Sequence, residues 1–169
     1  MPRGDEMETD EQEGVHAWLV MWKAAHAVEA YAVKSIAGVE MCGSDFAVLE
    51  ALLHKGPLPV NVIGRKVLLT SGSITTAVDR LEKKGLVERK SDAEDKRSRI
   101  VHLTREGRKL IRKAFADHAA DMERLVSVLE PDERATLIRL LKKIGLEAAS
   151  FIERDKVERS VSVKNKEKE

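Results

Sequence analysis

Two predicted helices separated by only three residues constrain this chain more than any other feature. Apolar residues recur at helical spacing over about Val60 to Val67 and again over about Ser71 to Lys84, with Leu68 to Thr70 between them. Gly85 follows the second helix, where a glycine can adopt the left-handed conformation that ends a helix. Helices joined by so short a connection are typical of a helix-turn-helix.

The segments on either side of this pair complete a larger pattern. Strand-type residues flank a polar loop, Ser91 to Ser98, and predict a β-hairpin. One long helix is predicted from Val15 to near Gly38, Ser44 is the expected N-cap of a shorter one, and two more follow Thr104 and Pro131. We therefore expect a mainly α fold with a small β-hairpin wing, in which long dimerisation helices flank a winged helix-turn-helix lobe.

Composition divides the chain into regions with different expected roles. Residues 1–10 are acidic and nearly without apolar side chains, and residues 155–169 are dense in charge, so we expect a disordered acidic tail and a charged C-terminal tail. Residues 38–104 contain the winged lobe, which is expected to bind DNA. Residues 11–37 and 105–154 carry long apolar stripes without a second domain to cover them, which predicts a helical dimerisation region and a homodimer.

The net charge of +1 conceals a strong asymmetry along the chain. Residues 1–53 carry 3 basic and 10 acidic side chains, residues 54–113 carry 16 and 7, and residues 114–169 carry 11 and 12. A basic middle between two more acidic segments favours a nucleic-acid partner. A scattered, solvated basic surface without a ligand is the alternative that charge alone leaves open.

The second helix of the predicted helix-turn-helix has the face that a major groove requires. Its apolar face consists of Ile74, Ala77, Val78 and Leu81. The opposite face carries small hydroxyls that can approach base edges and cations that suit guanine or phosphate, although it could equally be an ordinary solvated face. Asp79 would repel phosphate and is expected to have a structural or hairpin-bracing role. The predicted DNA-contacting residues are Ser71, Ser73, Thr75, Thr76, Arg80 and Lys83.

The predicted hairpin loop carries acidic residues followed by basic ones. A carboxylate in such a loop can hold one arginine in place, while a free cation at the tip can enter a minor groove, where the negative potential is enhanced. The predicted DNA-contacting residues of this loop are Lys96, Arg97 and Arg99.

Two segments together resemble the MarR (multiple antibiotic resistance regulator) family. Residues 95–104, DKRSRIVHLT, match its D-x-R-x5-L-T wing pattern, and residues 71–87, SGSITTAVDRLEKKGLV, look like its recognition helix and first wing strand. The resemblance covers about residues 15–152. It implies a homodimeric transcriptional regulator whose first, fifth and sixth helices dimerise and whose two winged lobes bind a pseudo-palindromic operator in double-stranded DNA. Our main hypothesis is that it is a repressor, with an activator as the alternative.

A small phenolic or quinone-like effector is also expected, because residues 63–69 and 71–75 are similar to a branch of the family that responds to hydroquinone-like aromatics. We place its pocket in the crevice where the first, second and fifth helices should meet, since three of the chain's six aromatic residues fall on these elements. Aromatic residues at helical spacing are often plain core, which is the alternative. The predicted pocket residues are Trp18, Met21, Trp22, His26 and Phe46.

Enzymatic functions lack a recognisable set of residues. The five histidines include no His-x3-His pair, and no glycine-rich phosphate loop is present, so no catalytic residue, metal or cofactor is expected. A winged-helix protein-interaction module without operator specificity is the alternative function.

The single cysteine and the hydropathy indicate the compartment. One Cys cannot form a disulfide within its own chain, and no apolar run approaches the length of a membrane span, so we expect a soluble, cytoplasmic protein that does not enter a membrane. Cys42 has the acidic Glu40 and Asp45 near it in sequence, and such anions oppose thiolate formation. It is expected to be an inert packing residue.

Overall fold

The computed structural model describes residues 5–39, 41–91 and 99–166, which are mainly helical with a small antiparallel sheet. This is the fold class that the sequence predicts. The chain divides into two compact units after Met122. No helix in the described part is long and apolar enough to cross a membrane. The elements are α1 (Asp5–Ser35), a 3-10 turn (Ala37–Val39), α2 (Gly43–Lys55), β1 (Leu58–Pro59), α3 (Val60–Lys66), α4 (Ser71–Lys83), β2 (Val87–Ser91), β3 (Arg99–Leu103), α5 (Arg105–Val126) and α6 (Pro131–Lys166).

The sheet has the strand order β1-β3-β2, and both pairs are antiparallel. In the hairpin, Val87 lies opposite Leu103, and the pairing ends where Ser91 lies opposite Arg99. This confirms the predicted hairpin, while residues 92–98 lie outside the described residues. The sequence analysis missed β1, because a strand of two residues is too short to show an alternating pattern.

Most predicted helix ends are confirmed by their hydrogen bonds. The Thr104 hydroxyl accepts the Gly107 N–H at 3.0 Å and donates to the Gly85 carbonyl at 2.8 Å, so it caps α5 and ties it to the end of α4. Gly85 has a φ of 68°, as expected of a left-handed helix end. The expectation for Ser44 is wrong: Cys42 occupies the N-cap position of α2, and Ser44 lies inside the helix, where its hydroxyl accepts from Arg80.

The long terminal helices extend further than the apolar pattern indicated. Residues 5–10, for which the composition predicts a disordered tail, are included in α1, which begins at Asp5. Likewise α6 continues to Lys166, through most of the predicted charged tail, since glutamate and lysine favour helices without any apolar partner.

The core of the first unit surrounds α4. The fully buried side chains of α2, α3, the hairpin and α5 converge on its apolar face, and each of the side chains named here is at most 2% exposed. This burial decides which face of α4 remains outside. The residues are Val48, Leu49, Leu52, Ile63, Ile74, Ala77, Val78, Leu81, Val87, Val101 and Ile111.

Gly107 predicts a strong sensitivity to the smallest substitution. A Cβ at this position would lie 1.9 Å from the carbonyl oxygen of Leu86, which is held in place because it accepts the Thr104 N–H at 3.1 Å. We expect Gly107→Ala to lower the free energy of unfolding by about 3 kcal/mol or more, because backbone must move to admit the methyl group. Urea unfolding followed by circular dichroism measures the loss.

Gly72→Ala is the matched control, since Gly72 lies in α4 of the same lobe and a Cβ there meets nothing within 4 Å. This substitution should change stability by less than about 1 kcal/mol. Equal unfolding midpoints for the two variants would contradict the close approach at Gly107.

Candidate nucleic-acid interface

The outer face of α4 is the centre of the candidate interface. Its apolar face is buried as predicted, and the opposite face is open to solvent. Packing of the apolar face therefore fixes α4 in the lobe and leaves the opposite face available to a ligand. Five of its six predicted contact residues are exposed on this helix: Ser71, Ser73, Thr75, Thr76 and Lys83.

The first turn of α4 is ordered by its own hydroxyl groups. The N-cap Thr70, which the sequence analysis did not single out, accepts the Ser73 N–H at 3.2 Å and donates to the Ser73 hydroxyl at 2.9 Å. The hydroxyls of Thr75 and Thr76 donate to backbone carbonyls one turn earlier, at 2.9 and 3.0 Å. These two hydroxyls consequently retain acceptor capacity toward a ligand.

Arg80, the sixth predicted residue, is engaged inside the protein. Its Nη2 and Nε donate to Oδ1 of Asp45 at 2.6 and 3.2 Å, and Nη2 also lies 3.1 Å from the Ser44 hydroxyl. The hydrogen bond to Asp45 raises the pKa of Arg80 above its ordinary value, so the guanidinium remains charged. The sequence analysis treated Arg80 as a free surface cation; the structure pairs it with α2.

Asp45 is the partner that sequence reasoning missed. Its residue is 1% exposed, and Nζ of Lys84 lies 3.8 Å from its second oxygen. A buried carboxylate requires such cations, because an unpaired charge away from water is costly. The available signal was its spacing: Asp45 lies four residues before Leu49 and seven before Leu52, on the apolar stripe of α2.

Cys42 does not pack in the core, so the packing role expected for it is wrong, while its expected inertness stays a prediction. It is exposed, and its Sγ lies 3.1 Å from both the Ser44 hydroxyl and Nη2 of Arg80. The sequence analysis weighed only the neighbouring anions, because the cation that contacts this thiol is 38 residues away in the chain.

An open notch of about 470 Å³ lies at the start of α4. It joins the N-terminus of α2 to the outer face of α4, and apart from one glycine the residues that line it carry hydroxyl or guanidinium groups. A charged or hydroxyl-rich ligand suits this lining better than an apolar one. The residues that line it are Ser44, Thr70, Gly72, Ser73, Thr76 and Arg80.

An arginine of the wing is braced against α4. Nη2 of Arg89 donates to Asp79 at 2.6 Å, and its Nη1 donates to Glu82. This confirms the bracing role expected for Asp79. Partial burial disfavours the charged guanidinium, but the hydrogen bonds to both carboxylates outweigh it and raise the pKa of Arg89. The brace sets the position of β2 relative to the outer face of α4.

Of the three predicted wing cations, only Arg99 lies within the described residues. Arg99 begins β3, is exposed, and donates from Nη1 to the Ser91 hydroxyl at 3.2 Å across the hairpin. Lys96 and Arg97 lie outside the described residues. The structure thus places one of the three predicted wing cations at the end of the hairpin that borders its connecting loop.

The predicted effector residues divide into an exposed and a buried group. Trp18 and Trp22 are 56% and 58% exposed on α1; their rings stack with centroids 6.3 Å apart, and His26 continues the stack at 6.3 Å. Phe46 is instead 5% exposed and contacts the ring of His118 edge-on at 5.0 Å. Phe46 is thus a core residue, as the alternative interpretation held. Met21, which precedes Trp22 in the chain, is half-buried.

No metal centre is formed within residues 5–39, 41–91 and 99–166, where no three His, Cys, Asp or Glu side chains converge.

A helix held by one face beside a braced β-hairpin defines a winged helix-turn-helix protein, and the comparisons with known proteins agree. The sequence model of the MarR family matches residues 42–98. The HTH-type transcriptional regulator MhqR of Bacillus subtilis (strain 168) is 37% identical over 140 residues, which are 83% of this chain and 97% of that protein. This chain belongs to the MarR family. It is a DNA-binding transcriptional regulator and not an enzyme.

Solved structures show the same fold. A mutant of MarR from E. coli complexed with operator DNA superposes with a TM-score of 0.71 at 24% identity, covering 78% of this chain and 95% of that one. The PcaV transcriptional regulator from Streptomyces coelicolor, in complex with its natural ligand, has a TM-score of 0.65 at 25% identity, covering 74% and 91%.

The Arg80 ion pair generates a prediction about stability. Arg80→Ala leaves the buried Asp45 carboxylate with Lys84 at 3.8 Å and without its hydrogen-bonding guanidinium. We expect the urea midpoint to fall at least about twice as far as in Lys83→Ala, which removes an exposed cation from the same helix. Adding Asp45→Asn to Arg80→Ala should recover part of the loss, since the buried charge is then gone. Strictly additive losses would show that the pair does not couple α2 to α4.

Proposed function

We propose that this protein is a homodimeric repressor that binds a pseudo-palindromic operator through α4 and the wing, and that a small aromatic effector releases it. The observation that carries the proposal is the division of α4 into a buried apolar face and an open face of hydroxyls and cations. A two-fold dimer would place two such helices about one DNA turn apart, which matches an operator with two half-sites.

The hydroxyls of α4 are the proposed base-reading groups. Ser71, Ser73, Thr75 and Thr76 are short enough to let the helix approach base edges closely. Because Thr75 and Thr76 already donate their protons to the helix backbone, each can accept from a base. The amino groups of adenine and cytosine are the donors that a major groove offers.

The cations are proposed to bind phosphates and the minor groove. Lys83, at the end of α4, is proposed to contact the phosphate backbone. Arg99, together with Lys96 and Arg97 of the wing, is proposed to contact the minor groove. Arg80 keeps 40% of its side chain exposed while paired with Asp45, so it adds positive potential at the notch from a fixed position.

Dimerisation is supported by apolar surface on the terminal helices. On α1, Val28 and Val33, which follow the aromatic stack along the chain, are 44% and 51% exposed. Isolated exposed apolar side chains are ordinary, but contiguous stripes indicate an interaction site, and a two-fold dimer would bury the same stripe in both protomers. The exposed side chains of α6 on one stripe are Leu137, Leu140, Leu141, Ile144, Phe151 and Ile152.

Selection of bound sequences from a random duplex pool tests the function directly. We expect a recovered duplex with two related half-sites, and an affinity for it that falls steeply with salt because several phosphates are neutralised. Arg99→Ala and Arg97→Ala should each weaken binding of that duplex and reduce the salt slope by about one, with the dimer intact by light scattering. Fluorescence anisotropy across a salt series measures both quantities.

Lys142→Ala is the control, because it removes an exposed cation of α6 away from its apolar stripe. It should leave affinity and slope unchanged. A wing variant with the same affinity and slope as this control would refute the wing assignment. Failure to recover any preferred sequence would favour the protein-interaction module instead.

The proposed effector site is the aromatic face of α1. Trp18, Trp22 and His26 form an exposed stack, which offers flat surface and one polar group to a phenol or quinone. The structure of PcaV with its natural ligand supports a ligand-responsive role within this fold. Phe46 enters this site only if the core around His118 opens, so it is the weakest member of the predicted set.

Tryptophan fluorescence reports on this site, since both tryptophans of the chain lie in the stack. Salicylate and hydroquinone-type compounds should quench it, and should bind more weakly when the selected duplex is saturating. By linkage, the same compound must weaken duplex binding by the same factor. Trp18→Ala should reduce compound affinity and leave duplex affinity unchanged in the absence of compound. Compound binding that is indifferent to the duplex would mean that the stack is not the switch.

A further inference from the structure

Leu68 combines two features that folding alone does not explain. Its φ is 56°, and it is the one non-glycine residue with positive φ in the part of the chain that the structure describes. Its side chain is also 92% exposed. A left-handed backbone brings the Cβ of leucine close to the following carbonyl oxygen, and an exposed leucine gains nothing from burial.

The surrounding backbone shows why a left-handed residue is needed here. Leu68 follows Val67, the C-cap of α3, and the Leu69 N–H donates to the Gly64 carbonyl at 2.9 Å, as in a Schellman motif. Glycine is the usual residue at this point of the motif. Val67 and Leu69 are the residues of the turn that pack against the core, so the Leu68 side chain is not required for the turn or for packing.

The position of Leu68 places it beside the candidate interface. Thr70, the N-cap of α4 and part of the wall of the notch, is two residues later, so the two Cα atoms are at most about 7.6 Å apart. A recognition helix contacts bases through its N-terminal residues, which brings the preceding turn next to the DNA. The apolar surfaces available there are deoxyribose and the C5-methyl group of thymine.

We propose that the Leu68 side chain is an apolar contact to DNA at the edge of the groove that α4 enters. The inference rests on the proposed function, because it requires α4 to be the recognition helix. The contact covers the leucine only in the complex, so the free protein carries both the strained backbone and the exposed side chain. Since no charge takes part, the contact adds affinity without adding to the salt dependence.

Leu68→Gly and Leu68→Asn separate the contact from the strain. Glycine and asparagine both accept a left-handed conformation, and neither supplies the apolar surface. With the duplex recovered from the random pool, we expect each variant to bind at least about fivefold more weakly with an unchanged salt slope. The Tm of Leu68→Gly should stay the same or rise by about 2 °C, because the backbone strain is relieved. A variant that binds the duplex more weakly but melts at the same or a higher temperature has not lost affinity through misfolding.

A duplex with uracil in place of thymine distinguishes the two DNA surfaces. If Leu68 contacts a thymine methyl, the parent binds the uracil duplex more weakly than the thymine duplex. Leu68→Gly, which has already lost this contact, should then bind the two duplexes with nearly equal affinity. If Leu68 contacts deoxyribose, the uracil substitution affects the parent and the variant equally, and Leu68→Gly remains weaker on both duplexes.

Leu146→Ala is the control, since Leu146 is 74% exposed on α6, on the face opposite the apolar stripe. It should change neither duplex affinity nor salt slope. Unchanged affinity in Leu68→Gly and Leu68→Asn would overturn the Leu68 contact and leave the proposed function standing, whereas a parent protein that selects no duplex overturns both. A lower Tm in Leu68→Gly would also overturn the contact, because Leu68 would then stabilise the free fold.

Discussion

Burial of one face of α4 is the constraint on which the rest of the first unit depends. Ile74, Ala77, Val78 and Leu81 are at most 2% exposed, and side chains of α2, α3, α5 and the hairpin surround them. A helix fixed in this way must present its remaining face outward. The same packing brings Asp45 of α2 to Arg80 of α4, so the hydrophobic contact and the ion pair hold the two helices in a single register.

The fold also divides the basic side chains into two groups with different roles. Arg80 and Arg89 are held by carboxylates, and they fix α4 against α2 and the wing against α4. Lys83 is exposed on the outer face of α4, and Arg99 is exposed at the end of the hairpin that borders its connecting loop. A rigid frame of paired cations therefore supports a set of exposed ones, which is what a surface that must match the spacing of phosphates requires.

Several features of the single chain are unfavourable until a partner covers them. The apolar stripes of α1 and α6 are solvated, and Leu68 holds a strained backbone in water. None of these features improves the packing of the isolated chain. They support the proposed dimer and DNA complex, in which contact would offset this strain and exposure.

The sequence by itself determined the buried face of α4 and the cap at Thr104, because each depends on spacing within one helix or one turn. It also indicated the order of the longer elements and the bracing role of Asp79, whose partner Arg89 is only ten residues away. It did not determine the strand β1, the partner of Arg80 or the surroundings of Cys42 and Phe46. Asp45 and Arg80 are 35 residues apart, and Phe46 and His118 are further apart still. Periodicity describes which face a residue occupies, but only the packing of separate helices decides which side chain lies opposite it, and that packing is a property of the whole core.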